Sequence, residues 1–245
     1  MMNNFVTKNK WATIVILVLI IEFFAQVPVY ADKLYPIDQG TTDPSFKAFR
    51  EELRAAIKSR NSKFIINSLA PDVLVSYGGC EGVKCFTQFW KLDQPNSKIW
   101  DTLNKVLSLG GSFETYESEK YFCAPYVFSK FPKKVNGEEL MGVHEYAAII
   151  GQNVNVRLRP SLNAPIVTSL SYDIIKLDQS PNNSNGNWFK ILAPTPGYVS
   201  SEFIRNPFDY RACFKKVRET PPYNDGASSD FVNGKWLMNA LVAGD

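Results

Sequence analysis

The side chains suited to covalent or acid–base chemistry are few: one histidine, His144, four cysteines, Cys80, Cys85, Cys123 and Cys213, and scattered carboxylates. A nucleophilic dyad needs a thiol or hydroxyl within hydrogen-bonding reach of a base, so His144 with Cys85 or Cys123 is the pairing to weigh. His144 stands beside Glu145 in a polar segment leading into a strand, where a surface histidine is the simpler reading. No nucleophile-elbow pattern supports a Ser-His-Asp triad. "CEGVKC" is spaced too widely for a redox dithiol and has no second pair at zinc-ribbon spacing, so neither a metal nor another cofactor is expected. No residue is therefore assigned a catalytic role.

Binding chemistry has more to work with. Arg157 and Arg159 flank Leu158, a spacing that suits contact with an anionic polymer. Trp188 and Tyr198 offer flat apolar surface with a polar edge, the makings of a ligand shelf, although in a small β module they can equally be core.

Something must position these residues, and 245 residues at 45 % hydrophobic allow one or two domains with real cores. The formal charge of +3 is spread among mixed-sign surfaces, which disfavours nucleic acid as a partner. The nearest basic cluster, Lys215, Lys216 and Arg218, reads as the solvent face of a strand. Residues 1–31 read as a signal peptide: Lys8 and Lys10 precede the apolar run "WATIVILVLIIEFFA", and "VYA" ends at a small-residue cleavage site. That run is short for a membrane span and contains Glu22, so no stable span is expected after cleavage. Losing Lys8, Lys10 and Glu22 leaves 25 basic and 23 acidic residues, a mature charge of +2. Export, to the periplasm or the medium, permits disulfides. Four cysteines allow three pairings, and a local Cys80–Cys85 bridge, a Cys123–Cys213 bridge between strands and free buried thiols all stay open.

Periodicity places the elements. In "TTDPSFKAFREELRAAIKSR", Asp43 is an N-cap, Pro44 opens the first turn, and Phe46, Phe49, Leu53 and Ile57 recur on one helix face. "KFIINSLA" predicts a short helix stopped by Pro71, and "DVLVSYGG" a strand ending at two glycines. A third helix starts near Gly82 with Val83, Phe86 and Trp90 on its apolar side. A fourth, capped by Asn96 or Ser97, carries Ile99, Leu103 and Val106 and ends at Gly110 and Gly111. From Ser112 the period becomes two, so "SFETYESEKYFCAPYVFSKF" and "GVHEYAAIIG" read as strands around the polar turn "PKKVNGEE". Helices first and strands later predict an α+β fold.

"VNVRLRPSLNAPIV", "NGNWFKIL" and "PGYVSSEFI" together resemble the bacterial SH3-like (SH3b) domain family over residues 145–205. The matching pieces are Asn155-Val156-Arg157, the Pro160-Ser161 turn, Trp188, and Gly197-Tyr198-Val199. "LSYD" stands where a turn glycine is usual, and Tyr198 where tryptophan is more common. The resemblance implies a small β-barrel in which Arg157 buttresses a turn. Val154, Val156, Ile166, Leu170, Ile174, Ile175 and Leu177 alternate as its strands require.

The remainder more faintly resembles the nuclear transport factor 2-like (cystatin-like α+β) superfamily: a long helix, a short one, a strand, more helices, then a curved antiparallel sheet. Members commonly finish in a hairpin with Gly-Lys-Trp, here Gly234, Lys235 and Trp236 after "YRACFKKV". The implied organisation is an α+β domain in two pieces, 41–144 and 208–245, with an SH3b-like barrel at 145–207 between them. Relatives of that superfamily include enzymes with a carboxylate in an apolar, cone-shaped pocket, where burial turns it into a working base. Asp72, Asp93 and Asp101 are the carboxylates to weigh, although Asp72 after Pro71 reads more simply as a turn residue and Asp101 faces away from the Ile99, Leu103 and Val106 side. The family comparison thus implies two functions. The first is a non-catalytic exported protein binding a cell-wall peptide or glycan, or an envelope protein, through Arg157, Arg159, Trp188 and Tyr198. The alternative is a small-molecule-pocket enzyme using a buried carboxylate or histidine.

Overall fold

The computed structural model describes residues 32–135, 138–139, 144–180, 184–217 and 234–244. The signal-peptide reading of residues 1–31 and the segment 218–233, with Arg218, lie outside the described residues. In chain order, α1 is Pro44–Lys58, α2 Ser62–Asn67, β1 Leu69–Ser76, β2 Cys80–Glu81, α3 Gly82–Trp90, α4 Ile99–Ser108, β3 Ser112–Tyr116, β4 Glu119–Ala124, α5 Tyr126–Ser129, β5 Lys134–Val135 and β6 Glu138–Glu139. Then come β7 Tyr146–Ile149, β8 Val154–Arg157, β9 Ile166–Leu170, β10 Ile174–Leu177, β11 Ser184–Asn185, β12 Trp188–Ala193, β13 Gly197–Ser200, β14 Ile204–Arg205, β15 Arg211–Val217 and β16 Lys235–Val242. The fold is α+β, with two large sheets.

The first sheet runs β2-β1-β16-β15-β4-β3, with β1 and β16 parallel and its other pairs antiparallel. Its two central strands are thus the last two in the sequence. Its helix-covered face buries Phe46, Leu53, Phe86, Trp90, Leu103, Phe122, Phe214, Trp236 and Met238 in one cluster. Phe46 is its hub: fully buried, with ring centroid 4.2 Å from Phe122 and 4.8 Å from Trp236. The helix bearing it starts as predicted, because Asp43 Oδ1 accepts the N–H groups of Ser45 and Phe46, two donors a helix start otherwise leaves unpaired.

The second sheet runs β14-β7-β10-β12-β13-β8-β9, with β11 beside β12. Leu170 of β9 and Ile204 of β14 share one buried cluster with Val156, Ile191 and Val199, so the sheet curls around a core of its own. It does not form the closed barrel implied by the family resemblance. Among the described residues β14 and β9 do not pair, and β14 is only two residues long, both of them spent on β7.

A strap at the start of the described chain touches both sheets. Ile174 N–H donates to Asp32 O and Leu34 N–H to Tyr172 O, both at 2.7 Å, while Lys33 Nζ lies 3.0 Å from Asp173 Oδ1. A few residues on, Gln39 N–H donates to Gly111 O, Phe113 N–H to Gln39 Oε1, and Arg50 Nη1 to Asp38 Oδ1 at 2.6 Å. Leu34, Tyr126, Val127, Tyr146, Ala148 and Ile174 form the apolar junction beneath it.

Three local expectations change. Pro71 does not stop a helix but sits inside β1, between the Leu69 and Leu74 pairings where the register shifts, a position that can spare a backbone N–H. "PYVF" makes the helical turn α5 rather than a strand. Lys215 and Lys216 do not share a solvent face: Lys216 reaches Ser45 Oγ beside α1, while Lys215 pairs with Glu119. At the start of α4 the Ser97 hydroxyl does bond the Ile99 N–H, although Lys98 holds the cap position.

Candidate ligand-binding face

Trp188, Tyr198 and Arg157 stand on three neighbouring strands of the second sheet. Tyr198 of β13 lies opposite Lys190 of β12 on one side and opposite Arg157 of β8 on the other, so the three form a row across the sheet. Trp188 lies two residues before Lys190, opposite Ser200. Strand alternation turns Ile191, Val199 and Val156 inward to the core and leaves the row on the other face, half-buried and outside every buried cluster. Gly197 allows this close approach, since a Cβ there would collide with the Val156 side chain and the Arg157 carbonyl. That is the physical content of the Gly-Tyr-Val motif.

The arginines divide. Arg157 Nη1 donates to Ala164 O at 2.8 Å, tying β8 to the turn before β9, so it buttresses a corner as well as facing the row. Arg159 lies beyond the strand, exposed, and does not join the row. Lys190, which sequence reasoning did not single out, completes it. Its ammonium is 2.8 Å from Asp178 Oδ2. The bond from Lys190, then those from Ser180, hold the Asp178 carboxyl down at about 2, and the same pairing raises Lys190. Alternation in "WFKILA" does put Lys190 on the side of Trp188, but its neighbours depend on register.

The acid–base candidates are not brought together. Cys80–Cys85 and Cys123–Cys213 are disulfides, so neither Cys85 nor Cys123 offers a thiolate to His144. His144 is exposed, its ring 4.5 Å from Phe208. Asp72, Asp93 and Asp101 are all exposed. Asp101 lines an open cleft of about 450 Å³ between α1 and α4 with Arg54, Lys58, Trp100 and Asn104, not an apolar cone. Among the described residues, Asp173 is the one buried carboxylate, and it stands beside β10 of the second sheet, paired with Lys33.

No protein-family model, curated protein or solved structure matches this chain.

Three buried charges were not singled out in the sequence, Arg50, Asp173 and Arg211, and the first two sit against partners of opposite sign, Asp38 and Lys33. Arg211, 5 % exposed on β15, has its guanidinium 4.7 Å from the Phe128 ring and 5.5 Å from that of Tyr77, and donates to the Tyr77 hydroxyl at 2.5 Å. The faces of two aromatic rings supply the negative potential that a carboxylate would otherwise provide. Nothing in "YRACF" distinguishes such an arginine from an exposed one.

Proposed function

We propose that this chain is an exported binding protein whose second sheet is an SH3b-like module recognising a cell-envelope peptide, glycan or protein, with a nuclear transport factor 2-like part, 41–144 and 208–245, as its scaffold. The observation that carries the reading is the row Lys190, Tyr198 and Arg157 with Trp188 beside it: aromatic surface and cations on one half-buried sheet face. Such a face suits a ligand with apolar or ring surface and negative charge. The interior of the first part is filled by Phe46, Phe86, Phe122, Phe214 and Trp236, which favours a structural role over an acid–base pocket.

Two disulfides fit an oxidising compartment, secreted or periplasmic. Among the described residues no helix is long and apolar enough to cross a membrane. The deciding experiment is co-sedimentation of the exported protein with purified peptidoglycan: binding that needs Tyr198 supports the reading, and failure of the unaltered protein to sediment removes wall recognition. Amino-terminal sequencing of exported material should find Asp32 at or near the start, and retention of Lys8 would replace export with anchoring.

A further inference from the structure

The open cleft between α1 and α4, about 450 Å³, has the size of a small-molecule site, and its two walls differ. Arg54 and Lys58, four residues apart on α1, and Arg60 just beyond it bring three positive charges; Asp101 of α4 is the one carboxylate. Arg54 Nη2 donates to Leu107 O at 2.8 Å and Arg60 Nη1 to Pro95 O at 2.9 Å. The two guanidinium groups are thereby fixed near opposite ends of α4, each with N–H groups to spare. Lys58 and Asp101 line the same cleft, yet among the described residues neither has a partner. Trp100, also in the lining, is 5 % exposed, and its buried indole N–H finds no acceptor among the described residues. Such a donor is costly to leave unmet.

We propose that this cleft binds a small hydroxylated anion, a sugar unit carrying a phosphate or a carboxylate. Charge sets the sign of the ligand: three cations face one carboxylate, and a guanidinium held by a backbone carbonyl keeps donors in the planar fork that carboxylate and phosphate oxygens match. The wall from α4 sets the rest. Asp101, Asn104 and Ser108 recur at three and four residues along that helix, and each offers an oxygen to a ligand hydroxyl. Buried Ile57 and Leu107, with the Trp100 ring, add apolar surface for the C–H face of a sugar ring. A ligand oxygen at the Trp100 N–H would satisfy the donor that the fold leaves unmet. A bare ion would engage the cations and leave the α4 wall unused. None of Lys190, Tyr198 and Arg157 lines the cleft, so this site is separate from the face on the second sheet.

Isothermal titration calorimetry of the exported full chain with glucose 6-phosphate, glucuronate, glucose and inorganic phosphate tests this. At least one of the two anionic sugars should bind, and the better of them tells whether the cations take phosphate or carboxylate. Glucose should give no binding, and inorganic phosphate should bind about tenfold or more weakly than the better sugar. Lys58→Ala, at an exposed position without a partner among the described residues, should weaken binding by about threefold, a loss that shrinks at high salt, with circular dichroism unchanged. Trp100→Phe, which removes the N–H and keeps an apolar ring, should weaken it too; if that variant does not fold, the Lys58 variant decides. Tyr198→Ala should bind as the unaltered protein does. The proposal is overturned by no binding of either anionic sugar, by glucose binding as well as they do, or by inorganic phosphate doing so, which marks an oxyanion site only. Indifference to Lys58→Ala, or loss of binding in Tyr198→Ala, would overturn it equally.

Discussion

Cys123 of β4 and Cys213 of β15 lie opposite each other in the first sheet and are joined by a disulfide, although 90 positions separate them in the chain. Every strand of the second sheet falls inside the loop that this bond closes. The bond therefore holds together the two ends of the long excursion that builds that sheet.

Replacing both cysteines, C123S with C213S, should lower the unfolding free energy by about 2–4 kcal/mol, because a long closed loop restricts the unfolded chain most. The Cys80–Cys85 bridge spans a separation of only 5 and should matter less. Denaturant unfolding of both variants measures the difference. Equal losses would show that loop length is not the controlling factor.

Two shortened chains should behave oppositely. Ending the chain after Arg205 removes β15 and β16, the central strands of the first sheet, together with buried Phe214, Trp236, Met238 and Leu241. Each such side chain is worth about 1.5–3 kcal/mol, against a typical stability of about 5–15 kcal/mol, so that chain should not fold. Replacing residues 145–207 by a short flexible linker should leave a cooperative, helix-containing unit with a lowered melting temperature. The positions to be joined already meet, the rings of His144 and Phe208 lying 4.5 Å apart. A cooperative melt from the first chain and none from the second would overturn the two-piece organisation.

Asp43 ties stability to pH. Burial pushes its carboxyl up, but hydrogen bonds from the Ser45 hydroxyl and the Phe46 and Ser45 N–H groups, with the nearby Lys120 charge, outweigh this and hold it below the ordinary carboxylate value. A depressed folded-state pKa contributes stability that is fully present above the unfolded value and is lost as pH falls through the folded one. Asp43→Ala should cost about 0.5–2 kcal/mol at neutral pH, with Asp43→Asn losing much less because asparagine also caps well. The gap between the parent and the alanine variant should narrow on acidification; a constant gap would contradict the charged-cap account.

Tyr198→Ala should weaken co-sedimentation with peptidoglycan while circular dichroism stays native. Arg159→Ala should weaken it only at low salt if the ligand is anionic, since exposed charges are screened over about 8–10 Å at ordinary ionic strength. Arg157→Ala should lower thermal stability as well as binding, because Arg157 also holds the Ala164 carbonyl. Unchanged binding in the Tyr198 and Arg157 variants would move recognition off this face.

Local order was legible in the sequence wherever it rests on neighbours in the chain. The cap at Asp43, the apolar faces of α1, α3 and α4, and the alternation of Val154 and Val156 follow from backbone geometry over a few residues, and the structure holds each. Pro71 misled because a proline ends a helix in isolation, yet a shift of register lets a strand accept one. The candidate face was half legible. Trp188, Tyr198 and the two arginines stand out by type, but Lys190 joins them, and Arg159 leaves them, only through cross-strand register.

What the sequence by itself determined was composition, punctuation and period: an α+β chain with an apolar, lysine-led start and four cysteines able to pair in three ways. Only the tertiary structure decided which cysteines meet, that β15 and β16 return between β1 and β4, and that the second sheet curls without β9 and β14 pairing among the described residues. The reason is physical. Turns and caps are set by interactions a few residues long, whereas strand order and register minimise the free energy of contacts between distant segments, whose energies no local pattern records.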